Sequence, residues 1–120
     1  AIAHYPNFDQ YDFMVKAFFD VSSEVIGKEF NKIKVHPMDD LSKIVKEKGI
    51  DIGLITVPQA SAQDAADALV QAGVKGILNF APTIVNVPKD VHVEPVDFLA
   101  GLKRLSFYII NPHLKEELTA

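Results

Sequence analysis

The sequence contains no cysteine. That excludes disulfides and thiolate metal centres, and it fits a reducing compartment, so a cytoplasmic protein is expected. An excess of positive charge is missing as well: 12 Lys and Arg stand against 16 Asp and Glu, a formal net charge of -4. Without a basic footprint to meet phosphate backbones, DNA binding by these residues alone is not expected. No apolar run approaches the roughly 20 residues that span a bilayer, and the opening AIAHYPNFDQYD has no basic stretch leading into an apolar core. Neither a membrane span nor an export signal is therefore expected. Metal and nucleophile signatures are absent too. His4, His36, His92 and His113 have no ligand spacing, and no Ser sits in a nucleophile elbow, so neither a metal nor a catalytic residue is expected. Pro/Ser-rich linkers, repeats and low-complexity tracts are also lacking, which makes one domain the simplest organisation.

What the chain does contain is alternation. Apolar runs suited to strands covered on both faces occur at Asp12 to Asp20, Lys32 to Pro37, Asp51 to Pro58, KGILNFAP and VHVEPVD. Between them DDLSKIVKEKG places Leu41, Ile44 and Val45 on one helical face, with an Asp near its start as cap and Gly49 at its end. SAQDAADALVQAG repeats the pattern: Ser61 is the expected N-cap, Asp64 the capping-box residue, and Ala62, Ala65, Ala66 and Leu69 make a slim face ending at Gly73. Strands alternating with helices predict an α/β fold with a doubly wound parallel sheet.

Ligands of open parallel sheets bind beyond the carboxyl ends of the strands. Those ends carry Asp20, then Thr56, Val57 and Pro58, then Asn79, Phe80, Ala81 and Pro82, then Asp97 followed by Phe98. A carboxylate at the end of a dinucleotide fold's second strand can accept both ribose hydroxyls of adenosine, and it repels a 2'-phosphate; the following VSSEV supplies no Arg to offset that, so NAD is favoured over NADP. Each residue also has a plainer reading. Asp20 can start a turn, Phe80 can alternate into the core, Asp97 can cap the next helix, and Pro58 and Pro82 can be strand punctuation. Taken together the residues support a nucleotide-type α/β domain.

The last helical segment, FLAGLKRLSFYIINP, has a stripe of Phe98, Leu102, Leu105 and Ile109, and Leu99, Phe107, Tyr108 and Ile110 carry apolar surface beyond it. A helix apolar nearly all round is buried on several sides. With Gly101 offering room for a close backbone approach, a dimer helix is expected.

The segments AIAHYPNF, AFFD, DIGLITVPQASAQDAADALV, AGVKGILNFAP, NVPKDV and VEPVDFLAGLKRLSFYIINP together resemble the redox-sensing transcriptional repressors of the Rex family. The resemblance covers nearly the whole chain. It implies a homodimer with an N-terminal winged-helix DNA-binding domain and a C-terminal Rossmann domain that senses NADH against NAD+ and releases operator DNA when NADH binds. On it, residues 1–97 are a partial NAD(H)-binding domain and 98–120 a domain-swapping dimerisation helix and tail. Asp20 is implied as the adenosine ribose ligand, Thr56 to Pro58 and Asn79 to Pro82 as walls near the second ribose and nicotinamide, and Asp97 and Phe98 as residues brought to the nicotinamide by the swapped helix. Tyr5 is implied as the partner of Asp97 that exchanges with the cofactor. The winged helix, first Rossmann strand and glycine-rich loop of such proteins would precede Ala1, so the sheet is expected to lack its central strand between those ending at Asp20 and Pro58. Two alternatives share the fold: an NAD-dependent oxidoreductase with a separate substrate domain, and a CoA-binding type of module.

Overall fold

In the computed structural model, residues 13–114 are described. Strand β1 (Phe18–Asp20) lies parallel to β3 (Ile33–Pro37), with Phe18 opposite Val35 and Asp20 opposite Pro37. A two-residue strand, β2 (Glu29–Phe30), folds antiparallel onto β3 through Asn31 and Lys32, whose φ angles of 52° and 67° make the left-handed hairpin turn that matches strand twist. A second sheet holds β4 (Ile52–Ile55), β5 (Gly76–Asn79) and β6 (His92–Pro95), in that order and all parallel. Helix α1 (Leu41–Lys48) connects the first sheet to the second, α2 (Ala62–Ala72) joins β4 to β5, and α3 (Phe98–Ile110) follows β6.

The predicted α/β alternation is therefore present, and the sheet is divided where a central strand was expected to be missing. Among the described residues β1 pairs only with β3 and β4 only with β5, so β1 and β4 each end a sheet with an open edge. That open edge also corrects the expected strand from Asp12 to Asp20. With a neighbour on one side only, the ladder reaches Phe18 to Asp20 and no further among the described residues.

One core unites the two halves. Leu41 and Val45 of α1 meet Ala62, Ala66 and Ala72 of α2, over Ile55 of β4 and Ile77 of β5, and Phe19 of β1 packs against the same cluster. The apolar faces expected for both helices are thus the buried ones, with Ile44 buried as well and Ala65 and Leu69 half-buried. Alanine lets α2 sit close to the sheet, and Ile55 and Ile77 together contribute about 3–6 kcal/mol by leaving water. The expectation of strands covered on both faces holds for one face only. Ile52 and Leu54 of β4 point away from α2 and are 48% and 39% exposed.

The helix starts differ from expectation too. Neither Asp40 nor Ser61 makes a side-chain cap. Each instead ends a 3-10 turn, Met38–Asp40 or Gln59–Ser61, entered from a proline whose φ is set at -68° (Pro37) or -59° (Pro58). The turn leaves Ser61 at φ -103°, ψ -2°, outside the extended conformation an N-cap needs, and the amides of Leu41 and Ala62 bond back to the carbonyls of Met38 and Gln59. The helix ends agree with the reading: Gly49 and Gly73 both take the left-handed conformation.

Candidate functional site

Each predicted site residue among the described residues stands at or just beyond the carboxyl end of a strand. Asp20 closes β1 half-buried, its Oδ1 accepting from the amides of Val21 at 2.7 Å and Ser22 at 3.0 Å. This is the turn-starting role open to it from sequence. A carboxylate can accept about four hydrogen bonds, so two on one oxygen leave capacity for a ligand hydroxyl. Thr56, Val57 and Pro58 follow β4 and are all exposed.

The loop after β5 is held by several hydrogen bonds. Asn79 is only 2% exposed, and its side chain is committed to its own loop: Nδ2 donates to the Thr83 carbonyl at 2.8 Å, and Oδ1 accepts from the buried Ala81 amide at 3.0 Å. Its backbone carbonyl accepts from Val96 at 2.8 Å. The amide therefore shapes its own loop rather than presenting itself at the loop's surface. Phe80 donates its N–H to the Ile55 carbonyl at 2.9 Å, extending the β4–β5 ladder by one step. Pro82 sits at the centre of a tight turn closed by Thr83 N–H to Ala81 O at 2.8 Å, a bend that suits the fixed φ of proline. Farther along, Gln63 of α2 bonds both backbone groups of Asn86, a long-range contact that local sequence patterns did not signal.

The Phe80 ring stacks on Phe98, with centroids 5.6 Å apart and planes at 29°. Asp97 caps α3, accepting from Ala100 N–H at 2.9 Å. Its capping role is thus present, and the structure pairs it with the helix start. A mostly apolar hollow of about 200 Å³ lies beside this loop, lined by Asn79, Thr83, Ile84, Val85, Val93 and Pro95. Of the predicted residues only Asn79 reaches it. Tyr5 lies outside the described residues.

No residue of α3 is buried, and the stripe of Phe98, Leu102, Leu105 and Ile109 faces outward along its length. Open space surrounds Gly101, so the close approach expected there does not come from the described residues. Among the described residues no group of His, Asp and Glu could hold a metal, and no helix is long and apolar enough to cross a membrane.

Parallel strands joined by helices, with a carboxylate, small residues and an aromatic pair beyond their carboxyl ends, define a Rossmann-like α/β fold. The chain belongs to the CoA binding domain family, whose model matches residues 1–83. It is 51% identical over 118 residues to the redox-sensing transcriptional repressor Rex of Thermus thermophilus, covering 98% of this chain and 55% of that protein. It is 47% identical over 109 residues to Rex of Carboxydothermus hydrogenoformans, covering 91% and 52%. Among solved structures it superimposes on RSP, a Rex-family repressor, with a TM-score of 0.86 and 32% identity over 99% of this chain and 57% of that one. RSP has also been solved with β-NADH (TM-score 0.86) and with β-NAD+ and operator DNA (TM-score 0.85), matching 98% of this chain in both cases. The resemblance to Rex repressors read from the sequence is borne out, and the chain spans about half the length of the curated relatives it matches.

Proposed function

We propose that this chain is the NAD(H)-binding and dimerising part of a redox-sensing repressor that leaves its operator when NADH binds, and that it has no catalytic role. The observation that carries this reading is the paired aromatic surface, Phe80 stacked on Phe98, just beyond the carboxyl end of β5, while Asp20 closes the parallel strand β1 of the other sheet. An uncharged nicotinamide suits such an apolar surface better than the cationic oxidised ring, whose desolvation is costlier, and this gives NADH its preference. Asp20 would hold the adenosine ribose. Thr56, Val57 and Pro58, with Phe80, Ala81 and Pro82, would line the path to the nicotinamide, and Asn79 would act by holding that loop. Phe98 and Asp97 arrive on α3, and Tyr5 would exchange with the cofactor as the switch partner of Asp97.

Residues 1–97 form the cofactor part and 98–120 the dimerisation helix and tail in this reading. A monomer with α3 bare would leave a long apolar stripe in water, and such stripes mark interfaces. DNA would be held by a winged-helix domain outside these residues, which agrees with their net charge of -4. NADH can shift the dimer off its operator only by binding the released state more tightly.

Calorimetry on the full-length protein with NADH, NAD+ and CoA in parallel tests this. Tighter binding of NADH than of the other two, with operator release on NADH addition, is expected. Equal affinity for NADH and NAD+ would remove the sensor role, preference for CoA would reassign the ligand, and sustained loss of NADH absorbance with a carbonyl substrate would indicate an oxidoreductase.

A further inference from the structure

Residues 83–87 alternate as a strand would. Val85 is buried and Val87 packs on the core, while Ile84 and Asn86 are exposed, yet the segment belongs to neither sheet. At Asn86 its backbone finds a substitute partner. The Asn86 N–H donates to Gln63 Oε1 at 2.8 Å, and the Asn86 carbonyl accepts from Gln63 Nε2 at 2.9 Å. A primary amide thereby supplies the acceptor and donor that a neighbouring strand's peptides would supply. The orientation of that amide follows from the contact: turned over, it would set donor against N–H and oxygen against carbonyl. The second proton of Nε2 goes to Asp67 Oδ1, one turn along α2, at 2.9 Å, which fixes the side chain's direction. Helix α2 is itself seated through Ala62 and Ala66, both wholly buried.

The loop that carries Phe80, Ala81 and Pro82 is therefore anchored at both ends. Asn79 holds its start through Thr83, and Gln63 holds its far end through Asn86. We propose that Gln63 is a positioning residue for the nicotinamide floor, acting by clasping the Asn86 backbone to α2. This rests on the NAD(H) reading above and adds to it a residue that stands outside the strand-end constellation. Gln63 would touch no ligand itself. By removing one of the loop's side-chain attachments, its loss would let Phe80 to Pro82 sample other positions and weaken contacts at the nicotinamide end, leaving the adenosine end at Asp20 as it was.

The test uses full-length protein carrying Gln63→Met, which keeps chain length and helix preference and removes both bonds to Asn86. Affinities for NADH and for ADP, which engages only the adenosine end, are measured by calorimetry, and amide exchange at residues 83–87 is followed by mass spectrometry. Because these hydrogen bonds are exposed and individually modest, NADH binding should weaken about three- to tenfold while ADP binding stays within about twofold of the parent, and the 83–87 amides should exchange faster. Unchanged NADH affinity would overturn the proposal. Equal losses for NADH and ADP would overturn it as well, by showing general damage instead of a local role. A parent protein that binds ADP but not NADH would remove the NAD(H) reading and this role with it. Unchanged exchange at 83–87 in the variant would refute the clasp alone.

Discussion

Replacing Asn79 by alanine strips acceptor and donor from two backbone groups at once. The Ala81 amide, in a buried position, loses its side-chain partner, at a cost of about 1–3 kcal/mol, and the half-buried Thr83 carbonyl loses another bond worth about 0.5–1.5 kcal/mol. A net loss of about 2–4 kcal/mol is expected, a large share of the roughly 5–15 kcal/mol that holds a domain folded. Asn79→Asp separates geometry from charge. It keeps an oxygen for the Ala81 amide but aims a second oxygen at the Thr83 carbonyl, in a site 2% exposed. Desolvation and that facing oxygen raise the new carboxyl's folded-state pKa above its unfolded value of about 3.9. The unfolded chain then binds fewer protons than the folded one between those two values, so the charge-specific penalty is complete above the folded pKa and fades as pH falls toward 3.9. Urea unfolding of full-length parent and variants across pH 4.5 to 7.5 reads this directly. Asn79→Asp should match or exceed the loss in Asn79→Ala at neutral pH, and its deficit relative to the parent should shrink on acidification. An Asn79→Ala variant within about 0.5 kcal/mol of the parent, or an Asn79→Asp deficit that grows as pH falls, would refute this account of the loop.

Three further outcomes are expected. A Cβ added at Gly53 would come within 2.7 Å of both Leu69 methyl groups, so Gly53→Ala should cost about 1–2 kcal/mol in denaturant unfolding, and pairing it with Leu69→Ala should give a smaller loss than the two single changes summed. Asp97→Ala removes the α3 cap and should cost about 1 kcal/mol, whereas Asp97→Asn keeps the cap; if Asp97→Asn nevertheless alters the NADH response of operator binding, the carboxylate charge has a role beyond capping. Leu105→Glu, at a position exposed in the single chain, should leave the fold's circular dichroism unchanged and convert the protein to monomers in light scattering; an intact dimer would place the interface elsewhere.

How far these features could be read in advance follows from how local their causes are. The face of α1, the alanine face of α2 and the two C-terminal glycines were legible because helical spacing and left-handed φ are written into a few consecutive residues. The strand ends were legible for the same reason, since each is an apolar run meeting Asp, Pro or Asn. The β2 hairpin was not, because Lys32 occupies a positive-φ position where glycine would have signalled the turn. The length of β1 was misjudged because a strand extends only as far as its partners do. Ser61 has the residue type of a cap but sits in a 3-10 turn entered from Pro58, where the Gln59 carbonyl accepts the Ala62 amide instead. The Gln63 clasp joins residues 23 apart in sequence and leaves no periodic trace, so only the folded chain reveals it.

The open edges of β1 and β4 also bear on the order in which such a protein assembles. Each half has its own route to structure: β1 and β3 are close in sequence, as are β4, β5 and β6, and α1 and α2 bring the halves together. A strand entering between β1 and β4 would need both ladders' acceptors already in place, and it would gain little from either edge alone. In proteins that supply this strand from ahead of residue 1, the first segment of this domain to leave the ribosome would be among the last to find its neighbours. Its pairing would close the longest loops in the domain, so docking of that strand is expected to be the slow step of refolding, and the stage at which the two bare edges are most exposed to pairing with other chains.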